Sequence, residues 1–194
     1  MKSWVRIVSP SYFGETDIGL SPSDDPQKMT GRVIESTLYD ITGDLSQMYL
    51  KLYFQVIGVK DTKAETVFKG HEYSRDYLRS LVRRGSTRID CFENAVTADG
   101  YTLRVSITVF TVARVKASQE DLIRAIIRRV LAEKAKSLTF DQFVQEAVLG
   151  KIASDIYNKA KKISPLRHVG VRKSKLVLMP GESKEKAEAV EPVT

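Results

Sequence analysis

Catalysis needs several reactive groups at one place, and this chain is poor in the residue types that supply them. It holds two histidines, His71 and His168, and one cysteine, Cys91. A structural zinc site of four Cys or His ligands cannot be drawn from three such residues. His71-Glu72 begins like the H-E-x-x-H zinc motif, but Arg75 stands where the second His belongs. A Cys–His nucleophile pair is conceivable on count alone, yet no supporting motif accompanies it. Cys91, in an alternating segment, reads as a small buried hydrophobe. No glycine-rich phosphate loop of the P-loop or dinucleotide type occurs. Asp24-Asp25 lies in a Pro- and Ser-rich stretch and reads as a solvated pair of acids. The expectation is a non-enzyme with no catalytic residues, no metal, no cofactor and no small-molecule substrate.

The chemistry the sequence does carry is positive charge. Among 194 residues, 31 Lys and Arg face 24 Asp and Glu, a net of +7. The excess is local. Residues 1–150 hold 21 basic and 19 acidic side chains, and residues 176–194 hold two basic and four acidic. Residues 151–175 hold eight basic side chains and one acid, Asp155, so this short stretch matches the whole excess. Charges that close together repel unless a polyanion neutralises them, and such contacts give salt-sensitive binding with little sequence readout. A second run, Arg75, Arg79 and Arg83, recurs every four residues on one side of an expected helix, with Arg84 and Arg88 extending it. A solvated helix face explains that stripe equally well. Arg124, Arg128 and Arg129 have Glu120, Asp121 and Glu133 in pairing range and read as a solvated surface.

Several elements must position these charges. Residues 4–25 read as irregular, because Ser9-Pro10-Ser11 and Ser21-Pro22-Ser23-Asp24-Asp25-Pro26 are turn chemistry. Residues 32–38 and 49–57 read as strands. In the second, Leu50, Leu52, Phe54 and Val56 share one face. Residues 41–46 connect them, and 66–69 suggest a short strand. Ser74 caps a helix through Arg84, ended by Gly85. Residues 86–97 and 101–114 form a hairpin about a type I′ turn at Asp99-Gly100. Ser118 and Asp121 predict a capping box for a long helix. A second helix runs from Thr139 to Leu149, and Ile152, Ile156, Ala160 and Ile163 predict a third, ending before Pro165. Residues 168–179 read as a last strand, with Val169, Val171 and Val177 alternating against Arg172 and Leu176. This order is α+β rather than alternating βαβ. One domain, 1–180, with an irregular segment at 1–30 is the simplest organisation, and 181–194 reads as a charged, disordered tail.

One cysteine allows no intrachain disulfide, which fits a reducing compartment. Lys2 and Arg6 interrupt the N-terminus too early for a secretory segment, and no apolar run is long enough to span a membrane. The chain reads as cytoplasmic, without a membrane partner.

The sequence resembles the ribosomal protein S-three-a-e family of the small ribosomal subunit. The similar pieces include Trp4, Pro10 with Phe13, Ile18-Gly19, Gly31-Arg32-Val33-Ile34-Glu35, Phe68-Lys69-Gly70 and Ser74-Arg75-Asp76. They continue with Thr97, Asp99-Gly100-Tyr101, Leu103-Arg104, Phe110-Thr111, Ala113-Arg114, Ile163 through Leu166, and Val171-Arg172-Lys173-Ser174-Lys175. No piece is diagnostic alone, but their order across most of the chain is specific. The resemblance implies a structural, ribosome-bound protein on the platform near the messenger RNA exit. It implies small-subunit rRNA, neighbouring ribosomal proteins and exiting messenger RNA as partners. It further implies a curved, barrel-like, mostly antiparallel sheet flanked by helices, with a basic C-terminal helix-turn-strand. The short acidic tail beyond Pro180 suits an archaeal member. The expected RNA-binding residues are Lys2, Arg75, Arg79, Arg83, Arg84, Arg88, Lys159, Lys161, Lys162, Arg167, His168, Arg172, Lys173 and Lys175. The competing reading is a non-ribosomal module that binds RNA or an acidic protein.

Overall fold

The computed structural model describes residues 3–60 and 62–180. Lys2 and the 181–194 tail therefore lie outside the described residues. The chain divides into two compact units, Met1–Ser80 and Leu81–Thr194, each mixing strands with helix.

The first unit contains β1 (Ser3–Val8), β2 (Asp17–Ser23), β3 (Val33–Thr37), β4 (Leu50–Lys60) and β5 (Lys63–Tyr73). Their order is β2-β1-β5-β4-β3. The β1–β5 pair is parallel and the other neighbours are antiparallel. The expected irregular segment is thus corrected, because residues 4–25 contain a strand pair. Val5 and Ile7 alternate inward and pack with Met29, Val56 and Ala64. Pro22 obscured this, yet it stands on β2 at one end of the strand order, where a missing N–H is tolerated. Between the two strands, Phe13 packs its ring 5.7 Å from Phe54 and 6.0 Å from Phe68. The Tyr12 hydroxyl accepts from the Phe68 amide at 3.1 Å. The short strand expected at 66–69 runs eleven residues, since β4 pairs along its whole length. The connection after β3 includes a short helix, α1 (Leu38–Thr42). Thr37 and Asp40 form its capping box: the Asp40 carboxylate accepts from the Thr37 amide at 2.8 Å, and the Thr37 hydroxyl accepts from the Asp40 amide.

Helix α2 (Arg75–Leu81) ends earlier than expected, so Arg83 and Arg84 lie beyond it. Gly85 has the left-handed φ of +80° that suits it to the turn here, in which the Ser86 amide donates to the Arg83 carbonyl.

The second unit contains β6 (Arg88–Val96), β7 (Thr102–Thr111) and β8 (Leu166–Leu178), paired antiparallel in the order β6-β7-β8. The β6–β7 turn differs from a type I′ loop. Thr97 and Tyr101 close a three-residue connection in which Gly100 alone adopts positive φ, at +82°. Asp99 thereby keeps an ordinary φ and frees its carboxylate, which accepts from the Phe140 amide at 2.8 Å. It thus takes the capping role at the start of α4 (Phe140–Val148), where the N-cap residue Thr139 makes no side-chain cap hydrogen bond of its own. The Tyr101 ring stacks on Phe140 at 4.4 Å.

The long helix α3 (Ala117–Ser137) starts just before the expected cap. Gln119 reaches back to the Lys116 amide at 3.1 Å, while Asp121 pairs with Arg124 at 2.7 Å. Ile123, Ile127, Val130 and Leu131 are its buried stripe, and it packs on β6. Helix α5 (Lys151–Ala160) buries Ile152, Ala153, Ile156 and Ala160 against α3, α4 and β8. Lys134 of α3 bridges Glu146 of α4 at 2.8 Å and Asp155 of α5 at 3.1 Å, linking all three.

The α+β class stands. A barrel-like closure does not appear among the described residues: β2 and β3 end the first unit's order without pairing with each other, and β6 ends the second's. Removing the Asp99 cap tests the turn-to-helix link. Asp99→Ala should lower stability by about 1 kcal/mol in urea unfolding, with Asp99→Asn retaining most of it. An Asp99→Ala midpoint equal to wild type would show that the cap contributes nothing.

Candidate nucleic-acid interface

The fold sorts the expected cations by what holds them. In the first unit, α2 presents Arg75 and Arg79 to solvent. The Ser74 hydroxyl accepts from the Tyr77 amide at 3.3 Å, so Ser74 starts this helix. Tyr77 stacks on Tyr49 at 3.9 Å and meets Tyr73 edge-on at 5.5 Å, which pins the helix to the end of β5 and to the residue that precedes β4. Burial against this cluster pushes the Tyr77 hydroxyl up to about 12 and the Tyr73 hydroxyl higher, so both stay neutral. The three tyrosines are structural and hold two arginines outward.

In the second unit the cations have different roles. Arg83 and Arg84 are exposed on the segment before β6. Arg88 opens β6 but is engaged: it bridges Asp90 at 2.8 Å, and Asp90 also accepts from Thr108 at 2.6 Å. Lys159 bridges Glu133 at 3.2 Å, and Glu133 pairs with Arg129 as well. Those hydrogen bonds hold the Glu133 carboxyl below the usual range. Part of the Lys159 charge is therefore compensated, a role that sequence proximity could not reveal across 26 residues. Lys161 and Lys162 are exposed in the turn after α5 and make no ion pair among the described residues.

Strand β8 carries the rest, and its geometry corrects the expected alternation. The register runs Ile107 to Val171 and then Ser106 to Lys173, so Arg172 is an extra residue, a β-bulge. The bulge shifts parity. Val169, Val171, Ser174 and Leu176 all face inward, while Lys173, Lys175 and Val177 face outward. Arg172 sits half-buried at the bulge, with its Nε buried and without an acceptor among the described residues. Arg167 and His168 are half-buried near the strand's start, and the His168 ring lies 6.4 Å from Phe110. Burial, then the Arg167 guanidinium, holds the His168 pKa below its ordinary value. His168 is thus neutral at neutral pH and adds no charge to a phosphate site.

The basic stretch consequently does not form one patch. Lys161 and Lys162 precede β8, and Lys175 lies nine residues along it, about 30 Å away in an extended strand. What joins the distal end is Arg104, which stands directly opposite Lys175 on β7. This neighbour follows from the register shifted by the bulge and not from residue spacing. His71 is buried on β5, and Cys91 is buried on the helix-facing side of β6, where burial and Glu93 push its thiol up. Among the described residues no cluster of three potential metal ligands occurs.

The profile of the Ribosomal S3Ae family matches residues 1–180. Proteins named small ribosomal subunit protein eS1 are similar across nearly the whole length. The one from Staphylothermus marinus is 49% identical over 180 residues, covering 93% of this chain and 85% of the relative. That from Aeropyrum pernix is 46% identical over 198 residues, covering all of this chain and 92% of the relative. The Archaeoglobus fulgidus protein is 45% identical with the same coverage.

The His168 environment has a pH signature. The unfolded chain takes up its proton near the ordinary 6.5, whereas the folded chain resists it. Its contribution to stability is complete above that pH and is lost as pH falls through and below it. Melting temperature should decline on acidification across this range, and His168→Gln should flatten the decline. Equal slopes in both proteins would move the effect to another group.

Proposed function

The chain belongs to the Ribosomal S3Ae family, and from that membership we propose that it is a structural constituent of the small ribosomal subunit that binds rRNA through its outward cations. It is a structural component and not an enzyme. The observation that carries this reading is the 45–50% identity to small ribosomal subunit proteins over nearly the full chain. The concentration of charge in residues 151–175 supports it independently, since one acid cannot neutralise eight bases. Residues 1–180 act as one ribosomal-protein domain in this reading, supported by a family profile that spans both units. The helix-turn-strand of α5 and β8 carries its main basic positions, with Arg75 and Arg79 on the first unit and Arg83 and Arg84 on the second as further contacts. Lys159 and Arg88 contribute less than their charges suggest, because each already holds a carboxylate. By resemblance to its family, the protein sits on the platform near the messenger RNA exit. There it meets neighbouring ribosomal proteins and messenger RNA, in the cytoplasm with the ribosome.

The decisive measurement is sedimentation. The protein should travel with small subunits in stoichiometric amount through a high-salt wash, and a wholly soluble pool would refute the proposal. RNase treatment before capture separates it from a module that binds an acidic protein. Replacing Lys173 and Lys175 with Gln should reduce the steepness of log affinity against log salt, by about 0.7–0.9 for each phosphate no longer neutralised. Arg124→Gln with Arg128→Gln should leave that slope unchanged, because both arginines are held by Glu120, Asp121 and Glu93.

A further inference from the structure

The outward face of β6-β7-β8 carries a feature that phosphate contacts alone do not explain. Phe92 lies mid-strand on β6 and is 56% exposed. It stands opposite Ser106 on β7, so Arg104 is its diagonal neighbour at about 7–8 Å. Asn94, also on this face, stands directly opposite Arg104, and Arg104 stands directly opposite Lys175. From Phe92 to Val96, Thr102 to Ser106 and Lys173 to Val177, the outward positions hold no carboxylate. Asp90 further along is tied to Arg88 and Thr108.

Two costs stand out. A large exposed ring in the middle of a strand loses the burial that normally stabilises phenylalanine. Like charges directly opposite across strands destabilise the pair, and neither Arg104 nor Lys175 has an ion-pair partner among the described residues. One occupant relieves both. Phosphates neutralise Arg104 and Lys175, and a base covers the Phe92 ring. Stacking requires a base with a free π-face, which a continuous duplex does not offer along its side. Asn94 adds an amide that can donate to, and accept from, a base edge. Arg104 beside the ring can also stack on a base through its planar guanidinium.

We propose that this face binds an unpaired stretch of RNA, with Phe92 as the stacking platform and Arg104 and Lys175 as phosphate contacts. This rests on the rRNA-binding reading above and adds Phe92, Asn94 and Arg104 to it. Acidic protein would satisfy the charges but leaves the aromatic–amide–guanidinium row without a specific role.

The test uses the full chain with two fluorescent probes of about twelve nucleotides, an oligouridylate and a self-paired RNA duplex. Phe92→Ala should weaken oligouridylate binding about tenfold while changing duplex affinity less than about twofold. Phe92→Trp should restore the single-strand affinity. Because Phe92 is exposed, thermal melting of both variants should match wild type and exclude misfolding. Unchanged oligouridylate affinity in Phe92→Ala overturns the inference. If the wild-type chain binds neither probe, the rRNA-binding reading fails with it. If it binds both but ignores Phe92, this inference fails alone. In assembled subunits, a photoreactive benzoyl-phenylalanine at position 92 should crosslink to rRNA; a crosslink only to protein overturns the assignment.

Discussion

What β8 presents to each side depends on one extra residue. Without the bulge at Arg172, strict alternation from Val169 and Val171 would turn Lys173 and Lys175 toward the helices and Leu176 and Ser174 toward solvent. Burying two ammonium groups is far more costly than any local distortion of the ladder. The bulge keeps Val169 and Val171 inward, resets parity, and lets the following residues send their lysines out. The apolar packing of α5 on β8 and the basic surface on its other side are therefore two results of one backbone irregularity. Arg172, at the irregularity itself, is left half in and half out.

A similar economy governs the helical layer. α3 and α4 each pack on α5, and Lys134 ties all three by joining Glu146 and Asp155. The carboxylates on both neighbours keep the Lys134 pKa above its ordinary value, as expected for a partly buried cation with two acceptors. Glu133, Arg129 and Lys159 repeat the pattern at the surface. Charge in this protein thus falls into a class consumed by the fold and a class left outward.

That division marks the limit of what the sequence makes legible. Local pattern finds the β4 face of Leu50, Leu52, Phe54 and Val56, the β6–β7 hairpin and the existence of α3, because each is read in a single window. It misses β1 and β2, where Pro22 and flanking serines look like loop although the strand lies at the end of the order. It misses the length of β5, which is set by partners and not by its own residues. The turn type at Asp99 is misread because Asp-Gly suits two geometries, and the choice depends on α4, far along the chain. Among candidate contacts, charge density points to the stretch but cannot tell Lys159, bound to Glu133, from Lys161 and Lys162. Arg104 and Phe92 are invisible as contacts until strand register is known. The family resemblance supplies the identity; it does not supply these distinctions.

The cap at Asp99 also has a kinetic side. Its carboxylate belongs to a hairpin made early in synthesis, and the amide it serves belongs to a helix 41 residues later. A hairpin of local contacts forms on the microsecond scale, long before the ribosome has supplied α4. The hairpin alone is marginal, and β7 gains its second partner, β8, only after α4 in the chain. The contacts of Asp99 and Tyr101 with Phe140 therefore tie the turn to a helix that the chain reaches before that second partner.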